Sequence, residues 1–407
     1  MAAASTIAQA PAPTASEAAD YRSVSLWNGD PADRALRCVH LSGSDLDWLA
    51  RRAAVAVALA WLPLLLLTVL SGNAWSGVAL PFLADIETQT RLLVALPLLI
   101  AGEVVIHRRM PGAIQQFVDR RIVGAAARER FDAAAASAAR WSRSALSLVL
   151  IAVFVYTVGL GLGWKHMELL HVTTWYRAAP GAPEALTTAG WWYLLVSLPL
   201  LQFVLFRWYC RLFIWARFLW QVSRLDLTLV PTHPDRCAGL GFLKGLAHAF
   251  APFLLAHGVL LAGSIAEGIF YAGRSLADYR WELIAVPVVM ALLVLGPSLA
   301  FCDRLWNARR IGSRQYGELA QRYVLEFHGK WLLGERPAGE PLIGSADIQS
   351  LADLANSFEI IDGMRFAPLD RKVVLRVAIA TLVPTAPLLF TVIPASQLAE
   401  KLLKILF

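Results

Sequence analysis

Lys244, His248, His257 and Glu267 all fall on one apolar stretch, about 242–270. An ionisable side chain in such a stretch is costly to bury unless it finds a partner, so each is a candidate for handling an ion or a substrate. His257 lies near the middle, where an imidazole can relay a proton or make one interhelical hydrogen bond. Lys244 and His248 are four residues apart and share a helical face near one end. His248 and His257 are nine apart and point to opposite faces, so they cannot form one site. Glu103 and His107 are four apart on another apolar stretch and can face each other at its end. These six residues make up a candidate polar path.

A second cluster is the turn Pro231-Thr-His-Pro-Asp-Arg-Cys-Ala-Gly-Leu-Gly241, with His233, Asp235, Arg236, Gly239 and Gly241 as its notable groups. Asp235 can accept backbone N–H groups and cap the helix that follows. The turn reads either as a packing device or as a site where His233 and Asp235 hold a proton, a metal or a phosphate. One His and one Asp are too few for a metal centre. The glycines lack the Gly-Lys-Ser/Thr ending of a P-loop, and no strand precedes them as a dinucleotide fingerprint requires. Neither a metal nor a cofactor is expected, although His107 and His248, at one depth, leave a bis-histidine haem open. Before the turn come Arg207, Arg211, Arg217 and Arg224, spaced 4, 6 and 7. A voltage sensor needs a regular series of every third residue. Arg207 lies about 24 Å along its helix from Trp191, near the inner interface. These arginines are expected to snorkel to lipid phosphates, the alternative being an anion-attracting vestibule. No H-E-x-x-H, G-x-S-x-G or Walker motif is present, so enzymatic activity is not expected.

The elements that carry these residues are legible from composition. Of 407 residues, 57% are hydrophobic and 16% charged, and the mean hydropathy is +0.54. This is far more apolar than a soluble domain. Apolar runs near 20 residues recur, each long enough to cross a bilayer. The fold class is therefore all-α, a polytopic transmembrane bundle with cytoplasmic helical extensions. The net charge of +7 reflects the Lys/Arg excess of cytoplasmic loops rather than nucleic-acid binding.

Residues 1–42 read as an irregular tail, and Ser44 with Asp47 as a capping box. Crossings are expected at about 53–71, 91–107, 144–164, 191–225, 242–270 and 282–302, the first six making a bundle over 43–302. An arginine-rich insert, 112–143, should be a cytoplasmic helical segment leading into the third crossing, its arginines on a solvated or headgroup-facing surface. The sixth helix should extend to about Trp331 unless Gly312 or Gly317 breaks it. A linker at 334–344 precedes a helix that Ser345 caps, with Ile348, Leu351, Leu354, Ala355 and Phe358 on one face, inside a cytoplasmic region 303–370. The last unit, 371–407, holds a kinked seventh crossing with Pro384 and Pro387, then an interfacial helix. If the kinked segment re-enters instead, the count is six. No convincing internal repeat is found. Cys38, Cys210, Cys237 and Cys302 make no metal spacing and are expected as reduced thiols.

Two stretches resemble a family of uncharacterised multi-pass bacterial inner-membrane proteins. One is Val230-Pro-Thr-His-Pro-Asp-Arg-Cys-Ala-Gly-Leu-Gly-Phe-Leu243. The other is Ser345-Ala-Asp-Ile-Gln-Ser-Leu-Ala-Asp-Leu-Ala-Asn-Ser-Phe358, with the Pro-rich last helix. The resemblance implies a bacterial host, an inner-membrane location and no particular activity. From the residues, two functions are expected. In one, the chain lets a small solute or ion permeate along the polar path. In the other, it is a membrane scaffold or sensor whose cytoplasmic helices bind a partner. The lipid bilayer is an expected partner in both, with a homo-oligomer or a cytoplasmic protein as a further one and no nucleic acid.

Overall fold

The computed structural model describes residues 46–168, 173–177, 186–334 and 345–391. The readings of the tail 1–42, the Ser44 cap, Cys38, the linker from 335 and the interfacial helix 396–407 lie outside the described residues. Within them the chain is all-α, with isolated bridges in place of strands. Among the described residues, seven helices are long and apolar enough to cross a membrane. The protein is a polytopic transmembrane helix bundle.

The elements are α1 (Leu46–Leu70), α2 (Ile86–Asp119), α3 (Arg128–Ser142), α4 (Ala145–Lys165) and α5 (Thr188–Ser223). They continue as α6 (Leu240–Tyr271), α7 (Leu276–Trp331), α8 (Ala346–Asp362) and α9 (Arg371–Thr391). In its membrane window α6 is 67% buried, against 17% for α1 and α4, so α6 is the enclosed helix and α1 and α4 are peripheral. Leu59, Leu62, Leu66 and Leu70 on α1 and Leu146, Val149, Leu150 and Val153 on α4 are exposed, as a lipid-facing surface requires. One end of the bundle carries Arg51, Arg52, Arg108 and Arg109 and is called the basic end; Asp85 and Glu87 mark the acidic end.

Several boundaries move. α2 runs on past Arg109 to Asp119, because Met110, Ile114 and Phe117 are buried in the core and hold the helix together through Pro111. The helical insert 112–143 is therefore divided in two. Its first part belongs to α2, and α3 buries Phe131, Ala134, Ala135 and Ala138. Phe131 meets Phe218 of α5 edge-on, at 5.8 Å between ring centroids. The break in α7 is at Gly296–Phe301, where Pro297 opens a 3-10 stretch, and not at Gly312 or Gly317. Gly312 instead receives the ring of Pro231.

α9 lies beside α6 along its length. Arg376 reaches His248, Thr381 and Pro384 pack on Gly258, and Leu388 joins Ile265 and Ala266. It reaches the same depth as α6 and does not turn back. From Val383 it tightens into a 3-10 helix, since Pro384 and Pro387 cannot donate to an α-helical ladder.

The fold also exposes a repeat that the sequence reading passed over. Leu-Leu-Val-Ala-Leu-Pro-Leu-Leu occupies 92–99 in α2, and Leu-Leu-Val-Ser-Leu-Pro-Leu-Leu occupies 194–201 in α5. Both copies carry a π-helical turn, at Thr90–Ala95 and Tyr193–Ser197. In each copy the proline lacks the N–H that would serve the carbonyl four residues back, although α4 carries a π turn at Val155–Gly159 with no proline. In α5 that carbonyl, of Leu195, takes the Tyr156 hydroxyl at 3.2 Å instead. Arg91 and Tyr193, the residues just before the two copies, touch each other at 3.0 Å. The helices run parallel, and each carries one copy of the short motif.

Candidate functional site

Polar side chains enter the bundle at three depths. Toward the basic end stands Glu103 of α2, 6% exposed. Its carboxylate takes Arg52 of α1 at 3.1 Å, and Arg207 and Arg211 of α5 at 3.2 and 2.9 Å. This corrects one expectation. Arg207 and Arg211 do not snorkel outward, because a buried carboxylate on the neighbouring helix offers a stronger partner than the headgroup layer. Glu103 is directed at these arginines across the helix interfaces, and His107 is half-buried one turn on. Arg217 also turns inward, donating to Ser137 of α3 at 3.0 Å and lying over the Trp141 ring.

The middle level is His257 of α6, 8% exposed. Its Nδ1 sits 2.8 Å from the Phe253 carbonyl, so Nδ1 carries the hydrogen. Nε2 is then the acceptor for the Tyr209 hydroxyl of α5, at 2.7 Å. Trp208 packs beside this pair, stacked on Phe253 at 5.2 Å and filling the space that a side chain at Gly102 would occupy. Its indole N–H donates to the Leu99 carbonyl at 3.1 Å.

Nearest the acidic end, about 18 Å along α2 from Glu103, is the richest cluster. Arg91 is ion-paired with Glu87 one turn earlier and donates to the Tyr193 hydroxyl. Glu267 of α6, 7% exposed, is in hydrogen-bonding contact with Glu87. Gly263, one turn before Glu267, lets α6 close on Glu87 and Thr90. Asp85 caps α2, accepting from the Thr88 backbone and hydroxyl at 2.7 Å each and from the Trp175 indole at 2.8 Å. Beside the cluster a cavity of about 240 Å³ opens between α4 and α5, lined by Arg91, Leu162, Gly163, Met167, Tyr193, Leu198 and Gln202.

Lys244 and His248 do not join this interior. The start of α6 is broken into short turns, Leu243–Leu246 and Ala247–Phe250, which leave Lys244 half-buried and His248 exposed, with Nε2 of His248 3.1 Å from Arg376. Of the four candidates on α6, the fold brings only His257 and Glu267 inside.

The 231–241 turn is filled by its own carboxylate. Asp235 accepts from the N–H groups of Cys237 at 2.7 Å, Gly239 at 3.2 Å and Gly241 at 2.7 Å, with His233 Nδ1 at 3.0 Å. The chain reaches this geometry by placing Arg236, Ala238 and Gly239 at φ of 56, 51 and 98°. At Gly239 the residue type suits the angle; at the other two the backbone is strained. Partial burial pushes the Asp235 carboxyl up, but the three backbone donors outweigh it and hold it below the usual carboxylate range. Burial raises the Cys237 thiol, which keeps it unreactive at neutral pH. The outer side of the turn receives the segment after α8: Arg365 N–H donates to the Arg236 carbonyl at 2.9 Å, and Arg236 lies 3.9 Å from Glu359. The turn is thus a bracket for the helical extension, and its anion-binding nest is already occupied.

Among the described residues no group of three His, Cys, Asp or Glu is placed to hold a metal. Cys210, Cys237 and Cys302 are free thiols. The sequence reading missed Asp85, Glu87, Arg91, Tyr193 and Tyr209 as site residues. Glu87 and Arg91, four apart at the mouth of an apolar run, are the signal that was available; the two tyrosines gave none beyond their residue type. Comparison with protein families, with curated proteins and with solved structures finds no match to this chain.

Proposed function

We propose that this chain is an inner-membrane protein of a bacterium, its N-terminus cytoplasmic, that lets a small solute or ion permeate through the interior between α2, α5 and α6. The observation that carries the reading is the stacking of three inward-facing polar groups through the depth of the bundle: Glu103 with its arginines, the Tyr209–His257 pair, and the Glu87–Arg91–Glu267 cluster. Ionisable groups at membrane depth are expensive, and a purely structural bundle has cheaper ways to pack. The cavity at Arg91, beside the motif that α2 and α5 share, supports the same reading. The basic end, with Arg108 and Arg109, faces the cytoplasm in this scheme.

The test is flux into proteoliposomes, comparing wild type with His257→Ala. Flux of an ion or small solute is expected in wild type, with about a tenfold loss in the variant, the equivalent of one lost buried hydrogen bond. Wild-type vesicles that pass no ion or solute would count against the reading. One observation favours a scaffold instead. The far half of α7 and α8 form a hairpin, pinned by Asp347 to Lys330 at 2.8 Å and to Trp331 at 3.0 Å, and its tip exposes Val324, Leu325 and Ile348. A partner that binds this hairpin while flux is absent would move the assignment there.

A further inference from the structure

The Glu87–Glu267 contact has a chemical requirement. Two carboxylates repel and neither can donate, so a hydrogen bond between them needs a proton on one. Among the described residues, the cation acting on Glu267 is Arg91. Arg91 is itself paired with Glu87 and engaged with Tyr193. Asp85 adds charge of the same sign and is held by its own donors, Thr88 and Trp175. The other titratable groups around the pair are Tyr176 in the 173–177 segment, Tyr193 of α5, Tyr271 of α6 and Tyr279 of α7. Arg177 follows Tyr176 and lies over the Trp164 ring. From α9 the same level receives Leu388, which is apolar.

We propose that Glu87 and Glu267 hold one proton between them, and that the proton is the ion this site handles. The proton sits on one carboxyl oxygen and is donated to the other group. Arg91 then compensates the single negative charge that the pair retains. Release of the proton would leave two buried carboxylates facing one arginine, so proton loss is coupled to a rearrangement of the Arg91–Tyr193 contact and of the cavity they line. The travel of the proton rests on the permeation reading; its residence on the pair does not.

Infrared spectroscopy of the protein in liposomes tests the pair. A protonated-carboxyl C=O band is expected at neutral pH in wild type, lost in Glu267→Gln and also lost in Glu87→Gln, because either change leaves one carboxylate for Arg91. Glu267→Asp, which keeps the carboxyl, should keep the band, and this guards against a variant that has merely misfolded. A wild type without the band, including one in which a metal cation bridges two carboxylates, overturns the proposal. A band that survives Glu87→Gln overturns the sharing. Acid-driven proton entry, followed with an internal pH dye, is expected in wild type and lost in Glu267→Gln. Bands as expected with no proton entry would leave the pair standing and sink the permeation reading.

Discussion

At the scale of single residues, two carboxylates show how partners decide what a charge does. Glu103 is surrounded by Arg52, Arg207 and Arg211, so its charge and theirs are mutually compensated in a place where either alone would be expensive. Asp235 is compensated by backbone N–H groups instead. Because its folded-state pKa lies below the usual value, it contributes stability that is present above the unfolded value of roughly 3.9 and is lost as pH falls through the folded one. Asp235→Asn keeps the size and removes the charge. Its thermal midpoint is expected to fall less steeply than that of wild type below about pH 4. Melts across that range check this, and parallel curves for the two proteins would show that the turn does not depend on the carboxylate charge.

At the scale of elements, α6 and α9 approach closely at Gly258. A Cβ at Gly258 would run into the Thr381 carbonyl and the Pro384 ring, so glycine is needed there for the backbones to approach. Gly258→Val is expected to cost about 1–3 kcal/mol through overpacking. Gly245→Ala is the control: a Cβ there meets nothing, and the change is expected to be neutral or to stabilise by roughly 0.4–1 kcal/mol. Unfolding midpoints of both variants in one detergent separate the two; a Gly258→Val protein as stable as wild type would mean that α9 packs more loosely than the structure has it. The π turns in α2 and α5 act at the same scale. Each sets the helix beyond Pro97 or Pro199 at a new rotation, and so directs Glu103 and Arg207 toward one another.

For the whole molecule, seven spans put the start of α1 and the end of α9 on opposite sides of the membrane. The proposed orientation puts the end where the arginines gather in the cytoplasm. In a variant without native cysteines, Ser275→Cys, between α6 and α7, should react with an impermeant maleimide in intact spheroplasts. Ser313→Cys, in the far half of α7, should react only after permeabilisation. The reverse pattern would invert the protein and place the hairpin outside the cell.

The class of the molecule was legible in the residues, because hydrocarbon admits few ways to satisfy a backbone and apolar runs near 20 residues announce one of them. So were the Asp235 cap, the Ser345 cap and the reach of α7 toward Trp331, since these depend on neighbours in sequence. The inward turn of Arg207 and Arg211 was not legible, nor was the exclusion of His248, because a helix face has no direction until a second helix is packed against it. The pairing of Glu87 with Glu267 is the extreme case: the two lie far apart in the chain, and only the approach of α6 to α2 at Gly263 brings their carboxyls together. Local chemistry determined the elements of this protein; the contacts between helices, which sequence distance conceals, decided which of its charges face one another.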